Sequence, residues 1–275
     1  MMDQILDNNL EEKPEHTYFK KKEYPGIGQA FGLIGVLLLI SLIIAFPLDF
    51  LKNAVGENYK SVINGIAYVF SMTVLLAFAL KMRKSSKFQW KMVSLQILLL
   101  SIPLVVSLGI LLEPIINAIP MPDMIKDVIN KAITNDVYSF LTIAIAAPLL
   151  EEIIFRGIIL QGFLKRYSPT KAIIWSAVMF GIFHMNPWQF LSAFSVGMVI
   201  GWLYYKTDSL IPGIFIHFIN NALAFLMLMT TGDNFKTTQQ LMGGGKSYYI
   251  FYSMCIPILI GSLFLIHQRL KMKEV

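Results

Sequence analysis

The chain has 275 residues, 56% hydrophobic and 15% charged, with a mean hydropathy of +0.62 and a formal net charge of +6. So apolar a composition excludes an ordinary soluble domain and points to a polytopic membrane protein. The lysines fall in short loops between apolar runs, which argues against nucleic-acid binding, and a single cysteine, Cys255, excludes a disulfide framework or a cysteine-based metal site.

Residues Met1–Gly26 are polar, end in Lys20, Lys21 and Lys22, and lack the short apolar core and cleavage site of a signal peptide. Eight apolar runs follow: Ile27–Leu51, Ser61–Leu80, Met92–Leu112, Tyr138–Gly162, Ala172–Met185, Trp188–Tyr205, Leu210–Met229 and Tyr248–Ile266. Seven are near the length that crosses a bilayer as a helix, and the fifth is short for a full crossing. The expected fold is therefore all-α, a multi-pass bundle of about eight transmembrane helices. Its parts are a cytoplasmic segment (1–26), three accessory helices (27–137), a core of helices four to seven (138–229), and a last helix with a tail (230–275). Loops that alternate along the chain carry sixteen Lys/Arg on one side and six on the other, which predicts both termini in the cytoplasm.

Between runs three and four, Asp123 is placed to cap a helix with Met121, Ile125, Val128, Ile129, Ala132 and Ile133 on one face. Bracketed by Pro120, Pro122 and Asp136, it is expected to lie flat on the outer surface as an interfacial helix. In run six, Gly197 and Gly201 form a G-x-x-x-G, assigned to close helix packing. Asn186-Pro187-Trp188 reads as a tight turn between runs five and six.

The ionisable side chains well inside the runs are Glu151, Glu152, Arg156, His184 and His217. Charges in a bilayer core cost several kcal/mol and need a reason. Glu152 and Arg156 are four residues apart and share a helix face, so they can form a buried ion pair that fixes packing. Glu151 points about 100° away from Glu152, and nothing in its own helix neutralises it. Pro148, one turn earlier, frees the carbonyl of Ala144 and can kink the helix. Asn221 stands one turn after His217 on the same face. Counted from the basic flanks at Lys165, Lys171 and Lys206, and at about 1.5 Å per residue, Glu151, His184, His217 and Asn221 all lie roughly 16–22 Å deep. One such group could be a strut between helices; four at one depth point to a site.

That set contains no serine or cysteine, so the natural nucleophile is water. Glu151 can take its proton and His184 can hold it, while His217 and Asn221 can stabilise an oxyanion. Two imidazoles and a carboxylate (Glu151, His184, His217) also match an open zinc site, although the chain has no H-E-x-x-H. The residues leave both arrangements open. Only the metal-free one gives Asn221 a role, so no cofactor is the expectation and Zn2+ the alternative.

Three stretches resemble a known family. E-E-I-I-F-R (Glu151, Glu152, Arg156), F-G-I-F-H (Phe180, His184) and H-F-I-N-N (His217, Asn221) are similar to the motifs of the CPBP family. These are the CAAX-protease and bacteriocin-processing membrane endopeptidases, including type II CAAX prenyl proteases. The resemblance covers roughly Tyr138–Met229. It implies an eight-helix membrane fold with a conical cavity and a glutamate-protease mechanism, in a family often labelled metalloprotease. In that mechanism Glu151 and His184 position the water, His217 and Asn221 form the oxyanion hole, and Glu152, Arg156 and Phe180 give support. Expected partners are the lipid bilayer, a peptide or membrane-protein substrate and a membrane partner protein. The Lys/Ile/Asn-rich composition hints at an AT-rich bacterial genome, with bacteriocin or signalling-peptide precursors as candidate substrates. The alternative is a non-proteolytic bacteriocin-immunity or regulatory protein acting by helix–helix binding; a transporter ranks third, since no inverted repeat is visible.

Overall fold

The computed structural model describes residues 23–56, 59–122, 124–125, 133–231 and 237–271. It is an all-α, multi-pass membrane protein. The long helical runs are α1 (Ile27–Val55), α2 (Lys60–Arg83), α3 (Leu95–Asn117), α4 (Val137 to Leu164), α5 (Pro169–Phe183), α6 (Pro187–Thr207), α7 (Ile211–Thr231) and α8 (Gly245–Lys271). They follow the eight apolar runs in order. Five of them, α1, α2, α3, α7 and α8, are long and apolar enough to cross a membrane on length and composition alone. At 15 residues α5 is short, as expected from its sequence. The expected interfacial helix falls almost entirely on residues outside the described ones; within it only Met124 and Ile125 are described as helical.

Local signals set the ends of the helices. Asp136 caps α4, its Oδ1 accepting the backbone N–H of Tyr138 and of Ser139 at 2.9 Å each. Burial works to raise its pKa, but hydrogen bonds from Thr134, Ser139, Ser61 and Tyr138 outweigh that and hold the carboxyl below its ordinary value. Asn186 caps α6 through Trp188 N–H, with Pro187 in the first turn, where a missing N–H costs nothing.

α4 differs from the single kinked α-helix expected. It is α-helical at Val137–Phe140, π-helical at Leu141–Ala146, α-helical at Ala147–Ile154, π-helical at Phe155–Leu160 and α-helical again at Gln161–Leu164. Pro148 sits in the first turn after the first wide segment, so the hydrogen bond it cannot make is absorbed by a π turn. Two wide turns thus flank the short α segment that carries both glutamates.

Two apolar clusters share α6. One joins α1, α2, α4 and α5 around Leu33, Met72, Ile158 and Phe180; the other joins α3, α6, α7 and α8 around Leu104, Leu203, Ile216 and Ile266. The G-x-x-x-G acts as a packing face. A Cβ on Gly197 would lie 3.3 Å from Ala177 and Phe180 of α5, and one on Gly201 would lie 3.2 Å from Ile173.

The loops assigned to one side of the membrane meet one another. Lys91 pairs with Asp208 at 2.6 Å, Trp90 bridges to Ser209, and Leu210 N–H donates to the Gln89 carbonyl. Lys165 pairs with Glu23 at 3.2 Å, and Arg166 donates to the Glu23 carbonyl. At the other end, Trp188 donates to the Ile119 carbonyl and Thr238 N–H to Glu113. Arg83 of α2 donates to Gln161 of α4, so the segments before α1, after α2, after α4 and after α6 meet at one end of the helices.

Candidate active site

Glu151 and Glu152 lie on the α segment of α4 between its two π segments and are 5% and 0% exposed. Burial of this kind is tolerable only with partners, and the two carboxylates find different ones. Glu152 Oε1 accepts from Arg156 at 2.9 Å and from His217 Nδ1 at 3.0 Å. Arg156 also donates to the Gly197 carbonyl at 3.2 Å and lies over the Phe180 ring, 4.6 Å from its centroid. The expected ion pair is present and fully buried. His217 is an additional partner that the i,i+4 spacing did not reveal. Gly213, one turn before His217 on α7, allows this approach: a Cβ there would stand 3.0 Å from Glu152 Oε2.

No cation of α4 pairs with Glu151. Its Oε1 accepts the hydroxyl of Tyr68 from α2 at 2.5 Å. Its Oε2 is buried without a hydrogen-bond partner and lies 3.8 Å from His217 Nε2. Tyr68 was not among the residues singled out from the sequence. A signal for it existed: it stands 13 residues before Lys81, about 20 Å deep, level with the other four groups.

His184 forms the C-cap of α5, half-buried, with Nδ1 2.8 Å from the Phe180 carbonyl. A carbonyl only accepts, so Nδ1 carries the proton, and in the neutral ring Nε2 is left as an acceptor. His184 does not touch Glu151 directly. Phe180 links it to the rest, with its ring edge-to-face to His184 at 5.1 Å and to His217 at 5.4 Å. In His217, Nδ1–H is committed to Glu152, so Nε2 donates only when the ring carries both protons. Asn221 spends one amide N–H on the Ile143 carbonyl, within the first π segment, at 2.9 Å. Its other N–H has no hydrogen-bond partner among the described residues.

The structure thus brings Glu151, Glu152, Arg156, Phe180 and His217 into one contact network. His184 stands at its edge through Phe180, and Asn221 is tied to α4. In both rings Nδ1 is engaged, which leaves Nε2 as the nitrogen that the zinc alternative of Glu151, His184 and His217 would use. Among the described residues no three His, Cys, Asp or Glu side chains are gathered as a metal requires. Beside the site, a groove of about 510 Å3 opens between α2 and α4, lined by Ile66, Val69, Phe70, Leu141 and Thr142 among others.

Residues 133–223, which include every one of these α4–α7 groups, match the family model described as type II CAAX prenyl endopeptidase Rce1-like. For residues 133–223 this match supports a CPBP/CAAX protease family. The Bacillus subtilis (strain 168) protein named "Putative membrane peptidase YdiL" is 32% identical to the chain over 106 residues, 37% of this chain and 43% of that protein. The chain therefore spans less than half the length of the relative it matches. No solved structure matches. Tyr68 lies on α2, outside the matched residues and the three motifs, and meets them through Glu151.

Proposed function

We propose that the chain is an intramembrane endopeptidase that hydrolyses a peptide bond in a membrane-associated or lipophilic peptide or protein. The observation that carries this reading is a buried carboxylate, Glu151, with one oxygen held by Tyr68 and the other free beside an imidazole, inside a CAAX-protease segment.

Water is the nucleophile. Glu151 Oε2 removes one of its protons, and the Nε2 lone pair of His184 accepts a hydrogen bond from it and holds it in place. Hydroxide adds to the scissile carbonyl and its oxygen becomes an oxyanion. The spare N–H of Asn221 and Nε2–H of doubly protonated His217 donate to that oxyanion. Collapse of the intermediate expels the amine, which leaves with the proton that Glu151 took from water. Glu152 keeps the His217 ring oriented, and Arg156 holds Glu152 in place through their buried ion pair. No step uses a metal. The apolar groove between α2 and α4 suits the lipophilic part of a substrate. The basic loops face the cytoplasm of a bacterial cell membrane in this reading, with both termini on that side.

The test is a comparison of peptides released by cells carrying the wild type and Glu151→Ala. Membrane-derived fragments present only with the wild type support the proposal. Identical peptide profiles from the two, at equal amounts of folded protein, refute it.

A further inference from the structure

The Tyr68 hydroxyl sits on Glu151 with a geometry that reaches beyond helix packing. α2 and α4 run side by side in the same direction: Gly65 faces Thr142, Tyr68 reaches Glu151 and Arg83 donates to Gln161, in ascending order on both helices. Gly65 permits this close approach, since a Cβ there would fall 2.5 Å from Thr142 Oγ1. Tyr68 stands one turn further along α2. At 2.5 Å its bond to Oε1 is at the short end for a hydroxyl on a carboxylate, a strong and directional contact. The partition at Glu151 is then complete: Oε1 is taken, Oε2 is free, and His217 Nε2 is 3.8 Å from Oε2. A glutamate carboxylate turns readily about its last torsion, so without Tyr68 its plane could rotate and draw the free oxygen away from His217.

We propose that Tyr68 is a positioning residue that locks the Glu151 carboxylate so that Oε2 alone is presented to the water. This rests on the peptidase reading above, and it extends the working site from the CAAX-protease segment to α2. It predicts that α2 is part of the machinery in this chain, while all three motifs lie on α4, α5 and α7.

Tyr68→Phe keeps the ring and removes only the donor. The first measurement needs no substrate. Infrared difference spectra of purified wild type minus Glu151→Gln isolate the Glu151 carboxyl bands, and Tyr68→Phe is expected to shift them while leaving the unfolding temperature in place. The second uses a quenched-fluorescence peptide that the wild type cleaves; for Tyr68→Phe kcat should fall about 10–100-fold with KM unchanged. In the Glu151→Gln background, Tyr68→Phe should produce no further loss. Unmoved Glu151 bands, wild-type kcat, or a change in KM alone would overturn the proposal. So would a Tyr68→Phe protein that fails to fold, because the hydroxyl would then be a structural strut. A Glu151→Gln enzyme with full activity would instead sink the peptidase mechanism itself, and the two failures are distinguishable.

Discussion

Arg156→Ala is expected to cost far more in folding than its single hydrogen-bonding partner on α4 suggests. Arg156 and Glu152 are 1% and 0% exposed and 2.9 Å apart. At an effective dielectric constant of about 20 their attraction is about 6 kcal/mol, most of it offset by desolvation of the two charges. Removing Arg156 keeps the desolvation of Glu152 and loses the attraction, the Gly197 contact and the stacking on Phe180. The net loss for one partner of a buried pair is about 3–5 kcal/mol. For a chain of this size that is a fall of roughly 6–20 °C in unfolding temperature. Glu152→Gln with Arg156→Met removes both charges and leaves an amide oxygen for His217 Nδ1–H, so it should recover more than half of the loss. Thermal unfolding of detergent-solubilised protein, followed by circular dichroism and size-exclusion fluorescence, reads both. An Arg156→Ala protein within about 2 °C of wild type, or a double variant no better than the single one, would refute the reasoning.

Asp136→Ala should destabilise the protein by about 1 kcal/mol at neutral pH through loss of the α4 cap. Because the folded carboxyl is held below its ordinary pKa, that contribution is present above the unfolded pKa of about 3.9 and fades as pH falls through the folded value, so the two unfolding curves should converge only below that folded value. Cysteine labelling in a Cys255→Ser background should find Ser86→Cys reachable only from the cytoplasm and Lys126→Cys only from outside; the reverse pattern would invert the topology. Exhaustive chelation should leave activity intact. One zinc per active chain in elemental analysis, with activity lost on its removal and restored on its return, would overturn the metal-free mechanism while leaving the site residues in place.

The eight helices were legible because each is an apolar run of bilayer length, and the errors lie at their ends. α2 continues through Lys81 and Arg83, and α8 through Arg269 and Lys271, because basic side chains suit helix C-termini and reach out to the membrane surface. The Glu152–Arg156 pair was legible from spacing, and the nearness of Glu151 to His217 from their distances to the basic flanks. His217 as a second partner of Glu152 was not, since one matched cation makes a carboxylate look satisfied although its oxygens can take several donors. Tyr68 carries no charge at neutral pH, so charge did not mark it, although its depth matched that of Glu151. Pro148 announced a lost hydrogen bond but not a π turn, and the second π segment, Phe155–Leu160, contains no proline to announce it.

The central claim is that Glu151 activates the hydrolytic water, and the most direct measurement is kcat of purified Glu151→Gln beside wild type on one cleaved peptide. The account predicts a fall of about 10²–10⁴-fold, with the unfolding temperature unchanged because no cation is stranded. Turnover by Glu151→Gln at the wild-type rate would contradict it.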